Sequence, residues 1–375
     1  MITADFLIIG GGIAGVSAAA RLAPHGHVIL LEAESAFGYH SSGRSATFYH
    51  FGIGNTVVRG LTAYSRAFLE GETDDGIPLS HATPAVFIAR PEMLDAATAL
   101  EAEMRRFTSA IECVDEQSIR ALNPAIRCGD DAIVAGVIDH SARRLDSEAL
   151  QQGCRTAVKR HGGACVASAR VHAIERKGGA WNVTTGTGNQ YAAPILVNAA
   201  GAWCDEIAAL AGVQPLGLRP LRRTIIAFDP PADQAIAGWP FTKTVVDDFY
   251  MLPQSGKLLA SPVDEVPSAP TDAQPEEYDI ALAAAKVEEY TILAVRRIQH
   301  SWAGLRTFAS DRVPVAGFAQ DAEGFFWLAG QGGYGLQTAP AMSTITEAEI
   351  TGSAWPATLA QWGVTPSEIR PMRLF

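Results

Sequence analysis

The 375-residue sequence has few of the features that mark secreted, membrane or nucleic-acid-binding proteins. Its five cysteines form no C-x-x-C pair, so we expect no disulfide framework and a reducing compartment. No apolar run reaches the roughly 20 residues that span a bilayer, and no signal peptide is recognised, so we predict a cytoplasmic protein without a transmembrane segment. The net charge of −11 argues against nucleic acid as a partner. No metal site is predicted.

The first informative stretch is a glycine-rich turn near the N-terminus. A short apolar strand at 6–9 is followed by the spacing G-x-G-x-x-G, formed by Gly10, Gly12 and Gly15, and by a helix at 13–22. The first glycine permits a tight turn, the second lets a pyrophosphate approach the backbone, and the third lets helix and strand pack closely. The N-terminus of the helix offers free N–H groups and a partial positive charge to phosphates.

A second strand, predicted at 28–31, ends at Glu32. A carboxylate at this position can accept hydrogen bonds from ribose hydroxyls, and its negative charge disfavours a 2′-phosphate, so NADP is not expected. Strand, helix, strand and acid in this order predict a dinucleotide site. From these residues alone, both NAD and FAD remain open.

A second glycine-rich turn, QGGYGLQTAP, runs from Gln331 to Pro340 between an apolar strand and a long helix. Backbone N–H groups at the start of that helix could stabilise negative charge on a reduced flavin ring. Between the two turns the sequence predicts short strands and one long helix, at 164–168, 171–176, 180–185, 244–251 and 276–295. The first three of these strands suggest a small antiparallel layer.

Five motifs follow one another along the chain: IIGGGIAGVSAAARL, GYHSSGRSA, LVNAAGAWCDEIA, WAGLRTF and GFFWLAGQGGYGLQT. In this order the sequence resembles the D-amino acid oxidase-like flavoenzymes, which include glycine oxidase, sarcosine oxidase and D-amino acid dehydrogenases. The likeness runs along nearly the whole chain and is strongest to the bacterial FAD-dependent D-arginine dehydrogenases. The resemblance implies FAD rather than NAD.

The resemblance also implies an α/β fold of two interleaved domains. One is a glutathione-reductase-type, Rossmann-like FAD-binding domain, and the other is an α+β substrate domain with an antiparallel sheet above the flavin. We place the FAD-binding domain at 1–80, 145–210 and 305–375, and the substrate-binding domain at 81–144 and 211–304.

Positions that match the family motifs are expected to hold the FAD. Glu32 would bind the adenosine ribose, and Arg44 could independently donate charge-assisted hydrogen bonds to phosphate. Some family members attach FAD to a cysteine after the motif that here reads LRTF, but this chain has no cysteine beyond Cys204, so a noncovalent FAD is expected. The complete set of predicted cofactor residues is Gly10, Gly12, Ala14, Gly15, Glu32, Ala33, Ser41, Ser42, Arg44, Ser45, Ala46, Val171, Ala200, Gly201, Gly304, Gly332, Gly333, Tyr334, Gly335, Leu336, Gln337 and Thr338.

The resemblance places a substrate site beside Gly333 at the flavin ring. Arg306 matches an arginine that clamps the substrate carboxylate, a task for which a planar, bidentate guanidinium is suited. Tyr250 matches a tyrosine that adds a phenolic hydrogen bond, and Arg223 lies where related dehydrogenases place a second cation.

Departures from the D-arginine dehydrogenase pattern indicate a different substrate. Phe48 replaces a histidine beside the flavin, Ile53 replaces a tyrosine, and Ala85 replaces an acidic residue that would pair with a guanidinium. Without that acid a buried cationic substrate would lack its counter-charge, at a cost of several kcal/mol, so arginine and lysine are not expected. His50 and Lys243 fall near the predicted pocket, and Lys243 could pair with an acidic side chain. Neutral or apolar D-amino acids are the first prediction and acidic ones the second.

These expectations combine in a FAD-dependent D-amino acid dehydrogenase or oxidase. Hydride would pass from Cα to flavin N5, and the imino acid would hydrolyse to a 2-oxo acid and ammonia. No general base is recognised in the sequence. Oxidation of a secondary amine, as in sarcosine or glycine oxidases, or of a 2-hydroxy acid is an alternative, and a non-catalytic flavoprotein or a subunit of an electron-transfer complex is another. The electron acceptor, whether quinone, electron carrier or oxygen, is left open.

Overall fold

The computed structural model describes residues 1–232 and 234–375. Its strands are β1 (Ile2–Thr3), β2 (Phe6–Ile9), β3 (Val28–Leu31), β4 (Phe48–Tyr49), β5 (Ser80–Ala82), β6 (Ala85–Ala89), β7 (Ile111–Asp115), β8 (Ala135–Asp139), β9 (Arg143–Leu145), β10 (Ala164–Val166), β11 (Val171–Lys177), β12 (Ala180–Thr185), β13 (Gln190–Ala193), β14 (Ile195–Asn198), β15 (Arg219–Phe228), β16 (Phe241–Thr244), β17 (Tyr250–Gln254), β18 (Lys257–Ser261), β19 (Val266–Pro267), β20 (Ile298–Phe308), β21 (Val315–Phe318) and β22 (Phe325–Ala329). Its helices are α1 (Ile13–Leu22), α2 (Thr56–Leu69), α3 (Leu94–Arg105), α4 (Glu116–Leu122), α5 (Ser147–Arg160), α6 (Cys204–Leu210), α7 (Glu277–Tyr290), α8 (Gly335–Thr351), α9 (Ala357–Ala360) and α10 (Pro366–Ile369). Short 3-10 helices lie at Ala23–His25, Pro91–Met93, Gly201–Trp203 and Pro371–Leu374.

A six-stranded sheet carries both glycine-rich turns. Its order is β10-β3-β2-β14-β22-β21, and all pairs are parallel except β21 with β22. The strands β2 and β3 are continuous apolar runs buried along their whole length, as expected for a parallel sheet covered on both faces. Ile8 faces the helices α1 and α8, whereas Leu7 and Ile9 face a second sheet.

This second sheet has four strands in the order β1-β13-β12-β11. Trp181 and Tyr191 on its inner face pack against the six-stranded sheet. The predicted antiparallel layer is therefore present in β11 and β12, but the prediction that 164–168 belongs to it is wrong. Ala164–Val166 pairs in parallel with β3 instead, because Gly162 and Gly163 turn the chain from the end of α5 directly onto the edge of the parallel sheet.

A nine-stranded sheet forms the other half of the molecule. Its order is β19-β15-β18-β17-β16-β6-β8-β7, with β20 paired along the length of β15. The helix α7 covers one face, where Met251 and Ile226 pack on Val287. Since successive side chains of a strand point to opposite faces, Tyr250 and Lys243 lie on the other face, towards the six-stranded sheet. A small three-stranded sheet, β4-β9-β5, lies in the connecting segments.

Two element predictions in this half of the molecule are wrong. The segment 244–251 is not one strand, because Thr244 bonds the Asp248 side chain at 2.6 Å and Asp247 adopts a positive φ of 62°, which together form a turn between β16 and β17. The helix predicted at 276–295 ends at Tyr290, where the extended backbone of Thr291 stops it.

The predicted domain boundaries at 80/81 and 304/305 fall inside β5 and β20 respectively.

In the described part of the chain, no helix combines the length and the apolar character needed to cross a bilayer.

Candidate active site

A long cleft lies where the strands β2, β14 and β22 end. Parallel strands place their carboxyl ends at one edge of a sheet, so the turns that follow these three strands meet there. The helices α1 and α8 both begin at this edge, after Gly12 and Tyr334, and direct their first-turn N–H groups towards it. We call this the dinucleotide cleft.

Most predicted cofactor residues line the dinucleotide cleft. They are Gly10, Gly12, Ala14, Glu32, Ala33, Ser41, Ser42, Arg44, Ser45, Ala46, Val171, Ala200, Gly201, Gly304, Gly332, Gly333, Gly335 and Leu336. Four predicted residues do not line it, namely Gly15, Tyr334, Gln337 and Thr338.

The two outer glycines of the N-terminal motif are required by backbone contacts. Gly10 has a φ of +110°, and a Cβ atom there would lie 2.3 Å from the Ala199 carbonyl oxygen. A Cβ at Gly15 would lie 1.8 Å from the Gly10 carbonyl oxygen. Gly15 therefore acts beneath the cleft, by letting α1 pack on the turn, as the spacing predicts.

Glu32 lies at the far end of the cleft and is 8% exposed. Its two carboxylate oxygens accept the N–H groups of Gly11 and Glu34, each at 2.7 Å. Each carboxylate oxygen has capacity for a further hydrogen bond. The side chain is thus fixed in position while it keeps acceptor sites for ribose hydroxyls.

Arg44 lines the cleft, and four of its five N–H donors are bound to protein acceptors. The guanidinium donates to the carbonyls of Ala273 and Ala303, both at 3.0 Å, and pairs with Asp272. Its predicted contact with phosphate stays a prediction, and the structure adds a second role. Arg44 ties the loop after β3 to β20 and to the segment before α7.

The residues of the cleft fit a dinucleotide. Thr307 Oγ1 and Gln331 Nε2 are buried there and have no hydrogen-bond partner among the described residues. Buried polar groups are nearly always paired in proteins, so such atoms indicate a ligand with complementary donors and acceptors. The glycine turns, the two helix N-termini and Glu32 supply the phosphate and ribose contacts that FAD requires.

A second cavity adjoins the cleft, and we call it the adjoining cavity. Its lining includes Phe48, His50, Ile53, Lys243 and Tyr250 from the predicted substrate set. Residues that line both spaces mark the junction between them, and they are Ser45, Ala46, Arg223, Arg306 and Gly333. The structure therefore brings the predicted carboxylate clamp to the boundary between the cofactor cleft and a separate chamber.

The Phe241 ring organises the wall of the adjoining cavity. It stacks on Phe48 at 4.7 Å, on His50 at 5.2 Å and on Tyr250 at 5.5 Å, measured between ring centroids. Tyr250 is 3% exposed, and its hydroxyl has no partner in the part of the chain that the structure describes. An unpaired buried hydroxyl on a cavity wall is poised to bond a ligand.

The arginines at the junction differ in how they are paired. Arg306 is half-buried and donates no hydrogen bond to any described residue, so its fork is free. Arg223 donates to the Asp264 carbonyl at 2.6 Å and to Glu265 at 3.3 Å. Burial, followed by the charge of Arg306, lowers the pKa of Arg223 to about 9. Arg306 is therefore the better candidate for binding a carboxylate through hydrogen bonds. Arg223 contributes positive electrostatic potential at the junction.

Two further polar side chains on this wall are buried. Lys243 is 5% exposed, and burial together with the charges of Arg223 and Arg306 lowers its pKa to about 7. Burial, then the charges of Lys243, Arg59 and Arg306, lowers the pKa of His50 well below its ordinary value. His50 is thus a neutral imidazole at neutral pH, in a cavity where the sequence revealed no base.

Several predicted residues lie away from where the resemblance put them. Ala85 is fully buried beside Phe241 in the register of β6 and β16, and its short side chain reaches neither cavity. Tyr334 and Gln337 line the adjoining cavity rather than the dinucleotide cleft. Thr338 lines neither, because this side of α8 faces the protein core and its hydroxyl donates to the Tyr334 carbonyl.

Sequence reasoning missed ten residues of the adjoining cavity: Thr47, Gly54, Asn55, Phe241, Asp247, Val263, Glu265, Phe308, Asp311 and Arg312. Glu265 accepts both Arg312 and Arg223, and Asp247 pairs with Lys243. The i, i+4 spacing of Lys243 and Asp247 was visible in the sequence, but within a predicted single strand it put the two side chains too far apart to pair. The other contacts join distant segments and left no local signal.

Comparison with known proteins identifies the fold and the cofactor. The family model of FAD dependent oxidoreductases (DAO) matches residues 5–348. The chain is similar to L-alpha-glycerophosphate oxidase from Mycoplasma pneumoniae, solved with FAD bound, with a TM-score of 0.82 and 18% identity over 95% of this chain and 96% of that one. It is also similar to glycine oxidase from Geobacillus kaustophilus, with a TM-score of 0.80 and 17% identity over 98% and 99%. The predicted fold class and the FAD cofactor are confirmed.

Two curated relatives match this chain over only part of their own length. Mitochondrial dimethylglycine dehydrogenase from Rattus norvegicus is 24% identical over 89% of this chain and 41% of its own length. L-2-hydroxyglutarate dehydrogenase from Escherichia coli K12 is 24% identical over 56% of this chain and 50% of its own length. The chain thus spans half or less of the length of these two relatives. They support the family and not the narrower likeness to D-arginine dehydrogenase.

Proposed function

The chain belongs to the family of FAD dependent oxidoreductases, and from that premise we propose that it oxidises a small carboxylate bearing an amine on its α-carbon. The observation that carries the proposal is Arg306. Its guanidinium has no hydrogen-bond partner among the described residues and lies at the junction of the dinucleotide cleft and the adjoining cavity. A free, bidentate cation at that place fits a carboxylate whose α-carbon faces the cofactor.

FAD, when bound, supplies the acceptor for the hydride that leaves the substrate carbon. The chain's own residues orient that carbon. Arg306 binds the carboxylate through two parallel N–H···O bonds, and the Tyr250 hydroxyl donates a third. The stacked rings of Phe48 and Phe241 close the wall beside them and exclude water.

His50 provides a transient acceptor for the proton of the substrate ammonium. The burial and the cations that lower the pKa of His50 also disfavour the ammonium, so the proton passes on to solvent rather than staying on the imidazole. Its Nδ1 is enclosed by protein without a partner in the described part of the chain, so we assign the exchange to Nε2. In this step an N–H bond of the ammonium breaks, a bond from Nε2 to the proton forms, and the electron pair stays on the substrate nitrogen. The resulting neutral amine is the form that can release hydride. The Gln337 side-chain oxygen accepts the backbone N–H of His50 at 3.3 Å and holds this backbone segment in place.

The chemical class of substrate is broader than the D-amino acids predicted from sequence. One neighbour is named for L-alpha-glycerophosphate, which has no carboxylate, and the other three relatives and neighbours are named for dimethylglycine, glycine and L-2-hydroxyglutarate. Each of these three carries nitrogen or oxygen on the carbon next to a carboxylate. These three names support the α-amino carboxylate class, keep secondary amines and 2-hydroxy acids as the alternative, and favour neither enantiomer.

The test is an anaerobic reduction of the purified, FAD-loaded protein. Pools of D-amino acids, L-amino acids, N-methylated amino acids and 2-hydroxy acids are mixed with it, and the oxidised-flavin absorbance is followed. Bleaching by an amine-bearing pool supports the proposal, and admission of air then shows whether oxygen accepts the electrons. Bleaching only by 2-hydroxy acids selects the alternative.

If no pool bleaches the flavin while dithionite does, the proposed function is wrong, and a flavoprotein subunit of a larger complex becomes the better account. Noncovalent attachment remains a prediction. Acid precipitation of the same sample should leave the flavin in the supernatant, and yellow colour in the pellet would contradict it.

A further inference from the structure

Four cations and three carboxylates line the adjoining cavity, and two of the cations, Arg306 and Lys243, keep donors that protein acceptors do not use. Arg306 is free to clamp the substrate carboxylate, yet Lys243 also lies on the wall at 5% exposure. Lysines are rarely buried unless they are paired or serve a ligand. Lys243 therefore needs a reason to be there.

The partners of Lys243 leave part of its ammonium group unused. Its Nζ pairs with Asp247 and donates to the Gly52 carbonyl at 3.2 Å. An ammonium has three donors, so one remains for the cavity. The Asp247 side chain is 60% exposed in the turn between β16 and β17, so the counter-charge of this buried lysine lies at the solvent edge.

Lys243 and Arg306 are separate anchors on one chamber. Lys243 lies on β16, directly opposite Tyr250 in the register with β17, whereas Arg306 lies on β20, opposite Leu221 of β15. Arg306 also lines the dinucleotide cleft, and Lys243 does not. A ligand bound to both would thus hold one end at the cofactor and the other deeper in the adjoining cavity.

We propose that the adjoining cavity selects substrates with two carboxylates, one bound by Arg306 and Tyr250 and the other by Lys243. The proposal rests on the proposed function and narrows its substrate class to amino dicarboxylates. It replaces the neutral or apolar side chain predicted from sequence with an acidic one.

The selection is expected to depend on pH. The charged and titratable groups that face Lys243 are His50, Arg59 of α2, Arg223 of β15, Tyr250 of β17, Arg306 of β20 and Asp247 of the adjacent turn. Burial, followed by the charges of Arg223, Arg306 and Arg59, lowers the pKa of Lys243 to about 7 without ligand. A bound carboxylate favours the protonated amine and raises that pKa. The preference for a second carboxylate is therefore full below the ligand-free pKa and declines as the pH rises above it.

The experiment compares matched, unreactive ligands on the FAD-loaded protein. Glutarate and succinate are titrated against their monoamides, glutaramate and succinamate, with the flavin absorbance as readout. The members of each pair have the same shape and differ by one charge. A charge-assisted hydrogen bond predicts about 10- to 100-fold tighter binding of at least one dicarboxylate near pH 6, falling several-fold towards about pH 9.

Three variants separate binding from architecture. Lys243→Met should abolish the preference, whereas Lys243→Arg should keep it and remove its decline towards about pH 9, because a guanidinium stays charged. Lys286→Met is the control, since Lys286 pairs with Asp248 in the same turn at 2.9 Å but lies outside the cavity lining. It should leave the preference unchanged. If Lys243→Met does not fold, Lys243→Arg still decides, because a preference that declines with pH as in the wild type would show that Lys243 is not the second anchor.

Equal affinities within both pairs near pH 6, or a preference that survives Lys243→Met, would overturn the inference. Failure here is distinguishable from failure of the proposed function. Neutral amino acids that bleach the flavin while the paired ligands bind equally leave the function intact and remove the dicarboxylate. A dicarboxylate preference without any bleaching keeps the cavity assignment and removes the amine oxidation.

Discussion

The dinucleotide cleft and the adjoining cavity are built from different parts of the chain's chemistry. The cleft is formed by backbone, with glycines, helix N-termini and only a few side chains such as Glu32. The adjoining cavity is formed by side chains, with four cations, three carboxylates and stacked aromatic rings on its wall. A backbone site tolerates almost no added atoms, whereas a side-chain site changes its ligand with each substitution. We therefore expect the dinucleotide cleft to determine which cofactor binds and the adjoining cavity to determine which substrate binds.

The largest effect is expected from a substitution in the dinucleotide cleft, at Gly10. Gly10→Ala puts a methyl carbon 2.3 Å from the Ala199 carbonyl, and backbone cannot move aside as a side chain can. FAD affinity should fall at least about 100-fold, with lower thermal stability. Gly238→Ala is the matched control, because a Cβ there has nothing within 4 Å. Normal flavin content in Gly10→Ala would show that FAD binding does not depend on the close backbone packing at Gly10.

The next effect isolates the adjoining cavity at Arg306. Arg306→Met should lower kcat/KM by about 100- to 1000-fold, because two charge-assisted hydrogen bonds to the substrate are lost. FAD content and melting temperature should stay near wild type, since the guanidinium bonds no described residue. Arg306→Lys should recover only part of the activity, because an ammonium lacks the bidentate fork. Full activity in Arg306→Met would show that Arg306 does not bind the substrate carboxylate.

A smaller, pH-dependent effect is expected at His50. His50→Asn removes the proton acceptor, so kcat/KM near pH 7 should fall by about 100-fold. The loss should shrink as the pH rises, because an increasing fraction of the substrate amine is then already neutral. The measurement is the pH profile of kcat/KM in both proteins. A uniform loss at every pH would mean that His50 only shapes the cavity.

The smallest effect is expected at Tyr250. Tyr250→Phe removes one substrate hydrogen bond, so kcat/KM should fall by about 5- to 15-fold. Stability should be equal or slightly higher, because the hydroxyl is buried without a partner in the described residues. Tyr290→Phe gives the opposite pattern. Its hydroxyl donates to Asp248 at 2.8 Å outside both cavities, so that variant should melt earlier and keep its kcat/KM.

The contrast between the regions also explains what the sequence could predict. The glycine turn is local, since the strand, the motif and α1 lie within 17 consecutive residues, 6–22. The role of Arg44 was not local, because its acceptors Ala273 and Ala303 lie 229 and 259 residues away in the chain. Pairing of this kind leaves no periodic pattern to detect.

The turn after β16 shows how local preference can mislead. Val245 and Val246 are strong strand formers, which favoured one continuous strand over 244–251. The side-chain bond between Thr244 and Asp248 overrides that preference and folds Asp247 back onto Lys243. Because of this turn, a lysine expected near a pocket becomes a buried lysine with one free donor on its wall.

His50 was within reach of sequence reasoning. Phe48 and His50 are two residues apart in an extended segment, so their side chains share a face, and both stack on Phe241. The two-residue alternation of an extended segment therefore predicts an imidazole in the cavity at His50, although the position that matches the family histidine holds Phe48. The neutral charge state of His50 could not be predicted, because it depends on burial and on cations from α2, β16 and β20.

The most direct test of the central claim is a crystal structure of the FAD-loaded protein with an unreactive carboxylate. The account predicts that the carboxylate lies at the junction of the two cavities, with both oxygens about 2.8 Å from the Arg306 guanidinium and one bonded to the Tyr250 hydroxyl. A carboxylate bound elsewhere, with Arg306 turned towards the cofactor or a protein acceptor, would contradict it.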